Sequence, residues 1–275
     1  MRGEASMSRG RRGKRVSTEE TPAVLPVDCR VSAVVTVLNE EATLPLVLRE
    51  LGKLPLEEIV VVLNGCTDSS LSIARSFPQV TAVHYAEKLG HDVGRSIGAK
   101  LTKSDIVLFV DSDIPIGADR LKRFIAAIAQ GADVALNDIS PFLPLFRDWD
   151  EVTKMKAFLN LSLGRPDLRA NSMTCVPHAM SRRAIERIGS GMLAVPPKAQ
   201  AAVIEAGLRI RTAAAVNVLQ TNRVRNSNVG KDNEVSRLII GDHIEALKYA
   251  MNAGGSRLTN DDSGRRRHVV MRRQL

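Results

Sequence analysis

Asp111 and Asp113 stand one residue apart in the stretch SDIVLFVDSDIPIG, residues 104–117. Residues 106–110 are apolar throughout and read as a buried strand. In extended backbone alternate side chains share a face, so both carboxylates point toward one place. Two negative charges this close disfavour each other's ionised form unless something positive sits between them. Hard oxygen ligands of this kind suit Mg2+ or Mn2+, which would in turn hold a diphosphate. The plainer alternative is a pair of solvated carboxylates ahead of the next helix. Other phosphate-binding signatures are missing. TVLNEEAT after the first strand contains no glycine, which argues against a dinucleotide fingerprint, and no G-x-x-x-x-G-K-[ST] occurs. Gly90, Gly94 and Gly98 fall four apart, a spacing that lines one helix face and reads as close packing. His91-Asp92 is too short a match to indicate a metal phosphohydrolase.

The elements that must position the pair follow from periodicity. Apolar, β-branched runs predict strands over 30–38, 57–63, 80–85, 105–110 and 132–138. Helices are expected between them, over 39–54, 70–77, 91–103 and 117–131, the last with Leu121, Phe124, Ile125 and Ile128 on one side. Strands apolar throughout are covered on both faces, which predicts an α/β fold with a mostly parallel sheet and helices on each side. Ligands of such sheets bind beyond the carboxyl ends of the strands. Asn39-Glu40-Glu41, Asn64-Gly65 and Asp111-Ser112-Asp113 each follow a strand, so separate strands aim polar groups at one edge. Beyond residue 138 the pattern loosens: a helix within 146–164, a strand and helix within 172–189, a helix and strand within 196–219, and an amphipathic helix over 234–251.

Charge is concentrated at the ends. Residues 1–15 carry +5 and residues 254–275 carry +4, which accounts for the whole net charge of +9. Neither segment has apolar periodicity, and both are expected to be disordered basic tails able to approach anionic lipid. Aromatics make up 3% of the chain, too few for the base-stacking platforms of single-strand nucleic-acid binders, so no specific nucleic-acid binding is expected. No apolar run reaches membrane-spanning length and no secretory signal is read at the N-terminus. Cys29, Cys66 and Cys175 are scattered and suggest neither a disulfide framework nor a zinc site. A cytoplasmic location is expected, peripheral at the inner membrane face if the tails hold lipid.

VSAVVTVLNEEATLPLVLREL, EIVVVLNGCTDSS and GRSIGAKLTKSDIVLFVDSD together resemble the family 2 glycosyltransferases of GT-A fold, with its Asp-x-Asp motif. The resemblance implies a single domain over 29–253, a Rossmann-like nucleotide-sugar half over 29–138 and an acceptor half over 139–253, between tails 1–28 and 254–275. It implies that Thr36, Leu38 and Glu40 border the nucleotide and that Asn64 faces the base, where the family usually has Asp. By the same likeness Arg95 lies against the nucleotide or its phosphates, and Arg223 helps neutralise the diphosphate. Asp111 would touch the ribose or the metal, and Asp113 would bind the Mn2+ or Mg2+. The implied activity is hexosyltransferase-type transfer from a nucleotide-diphospho sugar, UDP-sugar first and GDP-sugar second, to an acceptor that is a glycan, a lipid-linked molecule or a small molecule.

The sequence departs from the family on the acceptor's side. Inverting members often carry a Glu-Asp pair that deprotonates the acceptor; VPPKAQAAVIEAGLRI holds Lys198, Ala199 and Gln200 there. His178, in VPHAMSRRA, is the substitute base expected, between a strand and a helix, with Asp148, Asp150 and Glu151 as others. Inversion is the expected course, and the missing pair leaves retention open. Two other readings stand beside it: a sugar-1-phosphate nucleotidyltransferase, or a decayed GT-A scaffold binding membrane or a partner through its tails.

Overall fold

The computed structural model describes residues 29–219, 234–266 and 269. The expected N-terminal tail, as well as Asn222 and Arg223, lies outside the described residues. One seven-stranded sheet organises the chain, in the order β3-β2-β1-β4-β6-β5-β7. Its strands are β1 (Val31–Val37), β2 (Glu58–Asn64), β3 (Val80–Tyr85), β4 (Ile106–Asp111), β5 (Val134–Asn137), β6 (His178–Ser181) and β7 (Ile210–Ala214). β1 pairs in parallel with β2 and β4, β2 with β3, and β5 with β7. β6 runs antiparallel between β4 and β5. The sheet therefore joins the two expected halves without a break.

Strand alternation divides the core into two layers. Val31, Ala33, Val35, Ile59, Val61, Ile106 and Leu108 face one side, where α1 (Leu44–Leu51) and α4 (Ala118–Ala129) cover them. The four apolar positions expected to line α4 are all buried. Val34, Val107, Phe109, Val134 and Met180 face the other side, under α3 (Val93–Leu101), α6 (Arg182–Ile188) and α7 (Pro196–Glu205). The glycine spacing in α3 does serve close packing. Gly94 sits against Thr36 and Val62, and Gly98 against Val34, so the helix lies almost directly on β1 and β2.

Asp133 ties in the antiparallel strand. Its carboxylate accepts hydrogen bonds from Arg183 and Ser181 beside β6 and from the Arg209 N–H before β7. Burial alone would raise its pKa, but these bonds and the Arg183 charge hold it below the usual carboxylate value. α2 (Ser70–Arg75) and α5 (Glu151–Ser162) complete the surface, and α8 (Glu234–Gly254) packs on α5 and α7. Within the expected C-terminal tail the described residues make hydrogen bonds. Thr259 Oγ1 donates to the Ser162 carbonyl at 2.9 Å, and Arg257 bonds the Asp261 carbonyl, giving the backbone partners that composition does not reveal. Among the described residues no helix is long and apolar enough to cross a membrane.

Candidate active site

The carboxyl ends of β1, β2 and β4 open into one pocket lined by Thr36, Leu38, Glu40, Asn64, Arg95, Asp111 and Asp113, among others. Seven of the residues named from sequence thus meet at one place. Strand register creates the first contact. Thr36 and Asp111 are cross-strand partners, and the Thr36 hydroxyl donates to Asp111 Oδ1 at 2.9 Å. Arg95, one turn into α3 and 4% exposed, places Nη2 3.6 Å from Asp111 Oδ2 and 3.1 Å from Asp92 Oδ1. Its Nη1 donates to the Met173 carbonyl at 3.1 Å. Burial opposes the charge on Arg95, but Asp92 and Asp111 outweigh it and hold the guanidinium above its ordinary pKa. Arg95 is therefore a buried counter-charge to Asp111, bonded through Nη1 to Met173, while its buried Nε has no hydrogen-bond partner among the described residues.

A second wall comes from paired loops. Asn39, with a left-handed φ of 55°, accepts from the Thr67 N–H at 2.8 Å. Glu41 N–H donates to Asp68 and Ser69 N–H donates to Glu41, so the loops after β1 and β2 lock together. Glu40 is 2% exposed and takes a hydrogen bond from Thr43 Oγ1 at the start of α1.

Asn64 does something the sequence did not suggest. Its Oδ1 accepts from the Leu89 N–H at 2.7 Å and its Nδ2 donates to the Gly90 carbonyl at 2.8 Å. Only an amide meets both demands; a carboxylate could not donate to Gly90. Gly65 beside it has φ +74°, and a Cβ there would lie 2.6 Å from Lys88 Cγ. Residues 88–90 are thus fastened to the end of β2, bringing Lys88, His91 and Asp92 into the pocket lining. Sequence reading missed Lys88, which sits in a non-periodic loop.

The donor set fits a divalent cation. Asp111 and Asp113 offer carboxylate oxygens to one pocket, and no group of three or more His, Cys, Asp or Glu ligands exists among the described residues. Two carboxylates, with water and substrate phosphate completing the shell, is how Mg2+ is commonly held.

The family model for glycosyl transferase family 2 matches residues 32–189, more than half of the chain. The chain belongs to glycosyltransferase family 2. An undecaprenyl-phosphate 4-deoxy-4-formamido-L-arabinose transferase of Pseudomonas aeruginosa is 32% identical over 119 residues, 40% of this chain and 35% of that protein. A 4,4'-diaponeurosporenoate glycosyltransferase of Staphylococcus haemolyticus is 26% identical over 132 residues, 46% of this chain and 35% of that one. The chain thus spans about a third of the length of the curated relatives it matches. Among solved structures, glucosyl-3-phosphoglycerate synthase from Mycobacterium tuberculosis, in complex with Mn2+, UDP and phosphoglyceric acid, superposes with a TM-score of 0.60 at 20% identity. That likeness covers 86% of this chain and 81% of the other, and it shows the shared GT-A fold.

On the acceptor's side this family 2 chain corrects the sequence reading. His178 is not in a loop: it opens β6 opposite Phe109, with the rings stacked 4.9 Å apart, and is 1% exposed. Burial first, and the Arg95 charge second, depress its pKa to about 3, so it is neutral and a poor proton acceptor near neutral pH. The strand expected within 172–189 is there, but it begins at His178 rather than ending before it, which seals the ring inside the sheet. Asp150 is the N-cap of α5, accepting from the Thr153 N–H at 2.6 Å. Asp148 is exposed beside Arg147, and neither carboxylate lines the pocket. His243, on α8, is also buried, with a pKa pushed down to about 4 by burial. Asp242, beside it, is raised to about 6 by burial and then by Asp92 and Glu245.

The two depressed histidines predict a pH effect on stability. The folded state binds fewer protons at His178 and His243 than the unfolded chain does below about pH 6.5. Stability is therefore expected to fall as pH drops below that value, by about 1.4 kcal/mol per unit for each histidine, until the folded-state pKa is reached. Urea midpoints at pH 7 and pH 5 measure this. His178→Phe should remove a large part of the slope, and a slope unchanged in that variant would contradict a buried neutral imidazole.

Proposed function

We propose that this chain transfers a sugar from a UDP-sugar to an anionic acceptor, with a divalent cation held by Asp111 and Asp113. The observation that carries the reading is the meeting of Thr36, Asp111, Asp113 and the buried Arg95 at the carboxyl edge of three parallel strands. Thr36, Leu38 and Glu40 would flank the nucleoside, and the loop fastened by Asn64 would close over it. When bound, the cation supplies charge neutralisation of the nucleoside diphosphate as it leaves. Lys88, in the pocket lining and without a hydrogen-bond or salt-bridge partner among the described residues, would place a further positive charge near the phosphates. Thr36 and Arg95 fix the Asp111 carboxylate before substrate arrives, so little reorganisation remains for the reaction itself.

The acceptor class is supported by the relatives. Undecaprenyl phosphate, diaponeurosporenoate and phosphoglyceric acid, the molecules in their names, are all anions. Direct displacement by an acceptor hydroxyl or phosphate oxygen would invert the anomeric carbon, the course the family resemblance favours. A sugar-1-phosphate nucleotidyltransferase would want a basic, glycine-rich loop after β1, where Asn39-Glu40-Glu41 stands.

Calorimetry with UDP and GDP, with and without Mn2+, tests the donor side. Tight binding of UDP that requires Mn2+ is expected; binding of neither nucleotide sinks the reading. Incubation of UDP-sugars with phosphoglycerate or a polyprenyl phosphate, followed by proton NMR of the anomeric signal, tests acceptor class and stereochemistry together.

A further inference from the structure

Of Lys198, Ala199 and Gln200, which stand where the family resemblance places the acceptor carboxylates, the glutamine is neither exposed nor idle. Gln200, on α7, is 0% exposed. Its Oε1 accepts the Met173 N–H at 2.7 Å. Its Nε2 donates to Asn160 Oδ1 and to the Asn171 carbonyl. Asn160 in turn donates to the carbonyls of Arg169 and Asn171, at 2.9 and 3.0 Å. The amide thus belongs to a closed network that fixes the segment from Arg169 to Met173.

That segment reaches the donor pocket through the Met173 carbonyl. The Met173 carbonyl receives Arg95 Nη1 at 3.1 Å, and Arg95 Nη2 faces Asp92 and Asp111. Met173 is therefore held from both sides, its N–H by Gln200 and its C=O by Arg95. We infer that Gln200 is a positioning residue for the donor site, acting through Met173 and Arg95 on the Asp111 carboxylate. The inference rests on the reading of Asp111 and Asp113 as the cation-holding pair.

The chemistry of the amide explains why glutamine stands here. Position 200 must accept from one N–H and donate toward two oxygens, which an ionised carboxylate cannot do. A glutamate would set its second oxygen against Asn160 Oδ1 and the Asn171 carbonyl in a site sealed from water. Turning the Asn160 amide over would relieve that contact only by breaking its own bonds to Arg169 and Asn171. An apolar residue of like volume would leave the Met173 N–H and Asn160 Oδ1 without partners, each a costly loss when buried.

The test is Mn2+ affinity of the full chain in the presence of UDP, read from the electron spin resonance of free Mn2+. Gln200→Met and Gln200→Glu are both expected to weaken Mn2+ binding about 10-fold, the scale of outer-shell changes at metal sites. In an Arg95→Lys background, Gln200→Met should add little further loss, because the path runs through the guanidinium. Gln200 is fully buried and its replacement endangers the fold, so Asn160→Ser gives a second reading, expected to move Mn2+ affinity in the same direction. Unchanged Mn2+ affinity in folded Gln200 and Asn160 variants, with only a lower melting point, overturns the inference alone. Faster sugar transfer by Gln200→Glu also overturns it, since the position would then be serving as the base site. A wild-type chain that binds neither Mn2+ nor UDP overturns the reading of the site and this inference with it.

Discussion

Asp113→Asn is expected to lower kcat/KM for sugar transfer on the order of 10²–10³-fold, with the melting point nearly unchanged. Removing one of two carboxylates from a hard-cation site takes away several kcal/mol of stabilisation from the leaving diphosphate, and each 1.36 kcal/mol is tenfold in rate. Asp111→Asn should cost at least as much activity but behave differently in a melting experiment. Asp111 accepts from Thr36 and stands against the buried Arg95, whereas Asp113 lies past the end of the strand. Taking charge from Asp111 leaves a guanidinium sealed from water with Asp92 as its remaining close carboxylate, and a buried charge that loses a partner is strongly destabilising. The pair of variants therefore separates cation holding from structural duty. Equal transfer rates in wild type and Asp113→Asn would end the metal-dependent reading.

The second large effect concerns stability. Gly98→Ala gains about 1 kcal/mol of helix propensity in an ordinary helix. Here the added methyl would lie 2.2 Å from Val34 Cγ1, 2.9 Å from Cγ2 and 3.1 Å from Cβ. All three atoms belong to one β-branched side chain in the buried centre of β1, stiff at χ1, and its Cβ is fixed to the strand backbone. α3 must lift from the sheet, and overpacking of this kind costs about 3 kcal/mol or more. A fall in melting point of roughly 6–12 °C is expected for a domain of this size. Arg95 and Asp92 ride on the same helix and its cap, so activity should fall with it. Val34→Ala in the same chain should restore part of the loss, a coupling seen only between touching residues. Gly241→Ala makes the contrast: a Cβ at that position of α8 meets nothing within 4 Å, and the variant should be slightly more stable. A stable Gly98→Ala protein would show that α3 does not sit so close to β1.

The donor side was legible in the sequence because its signals are local. Residues 80–85 form the third strand as expected, and the Asp111–Asp113 pair follows a strand whose apolar run is unmistakable. The rule that ligands gather at strand ends then brings Glu40, Asn64 and Asp111 to one edge, and the family resemblance adds Thr36. Side-chain partners were less legible. Asn64 looked like a base-reading group, yet its amide is taken up by Leu89 and Gly90, which lie 25 and 26 residues away. Lys88 enters the pocket only because that loop is pinned. His178 was misplaced for a different reason: a strand was expected nearby, but no local pattern shows that it starts at His178 and is inserted between β4 and β5, where the ring is sealed from water. Asp150 was readable in hindsight, since Asp directly ahead of a helical run is a favoured N-cap.

The placement of β6 also orders the chain's assembly in time. During synthesis β1 to β4 can pair as they emerge, each finding its neighbour within the first 111 residues. β5, at residues 134–137, has no sheet neighbour until β6 and β7 arrive, at 178–181 and 210–214. The first four strands therefore emerge with an open β4 edge, and nearly 70 residues separate that edge from the strand that covers it. Such edges recruit wrong partners when left exposed. The Met173 carbonyl that accepts from Arg95 lies in the segment just before β6, so this edge of the pocket gains that contact some 60 residues after Asp111 and Asp113 are made.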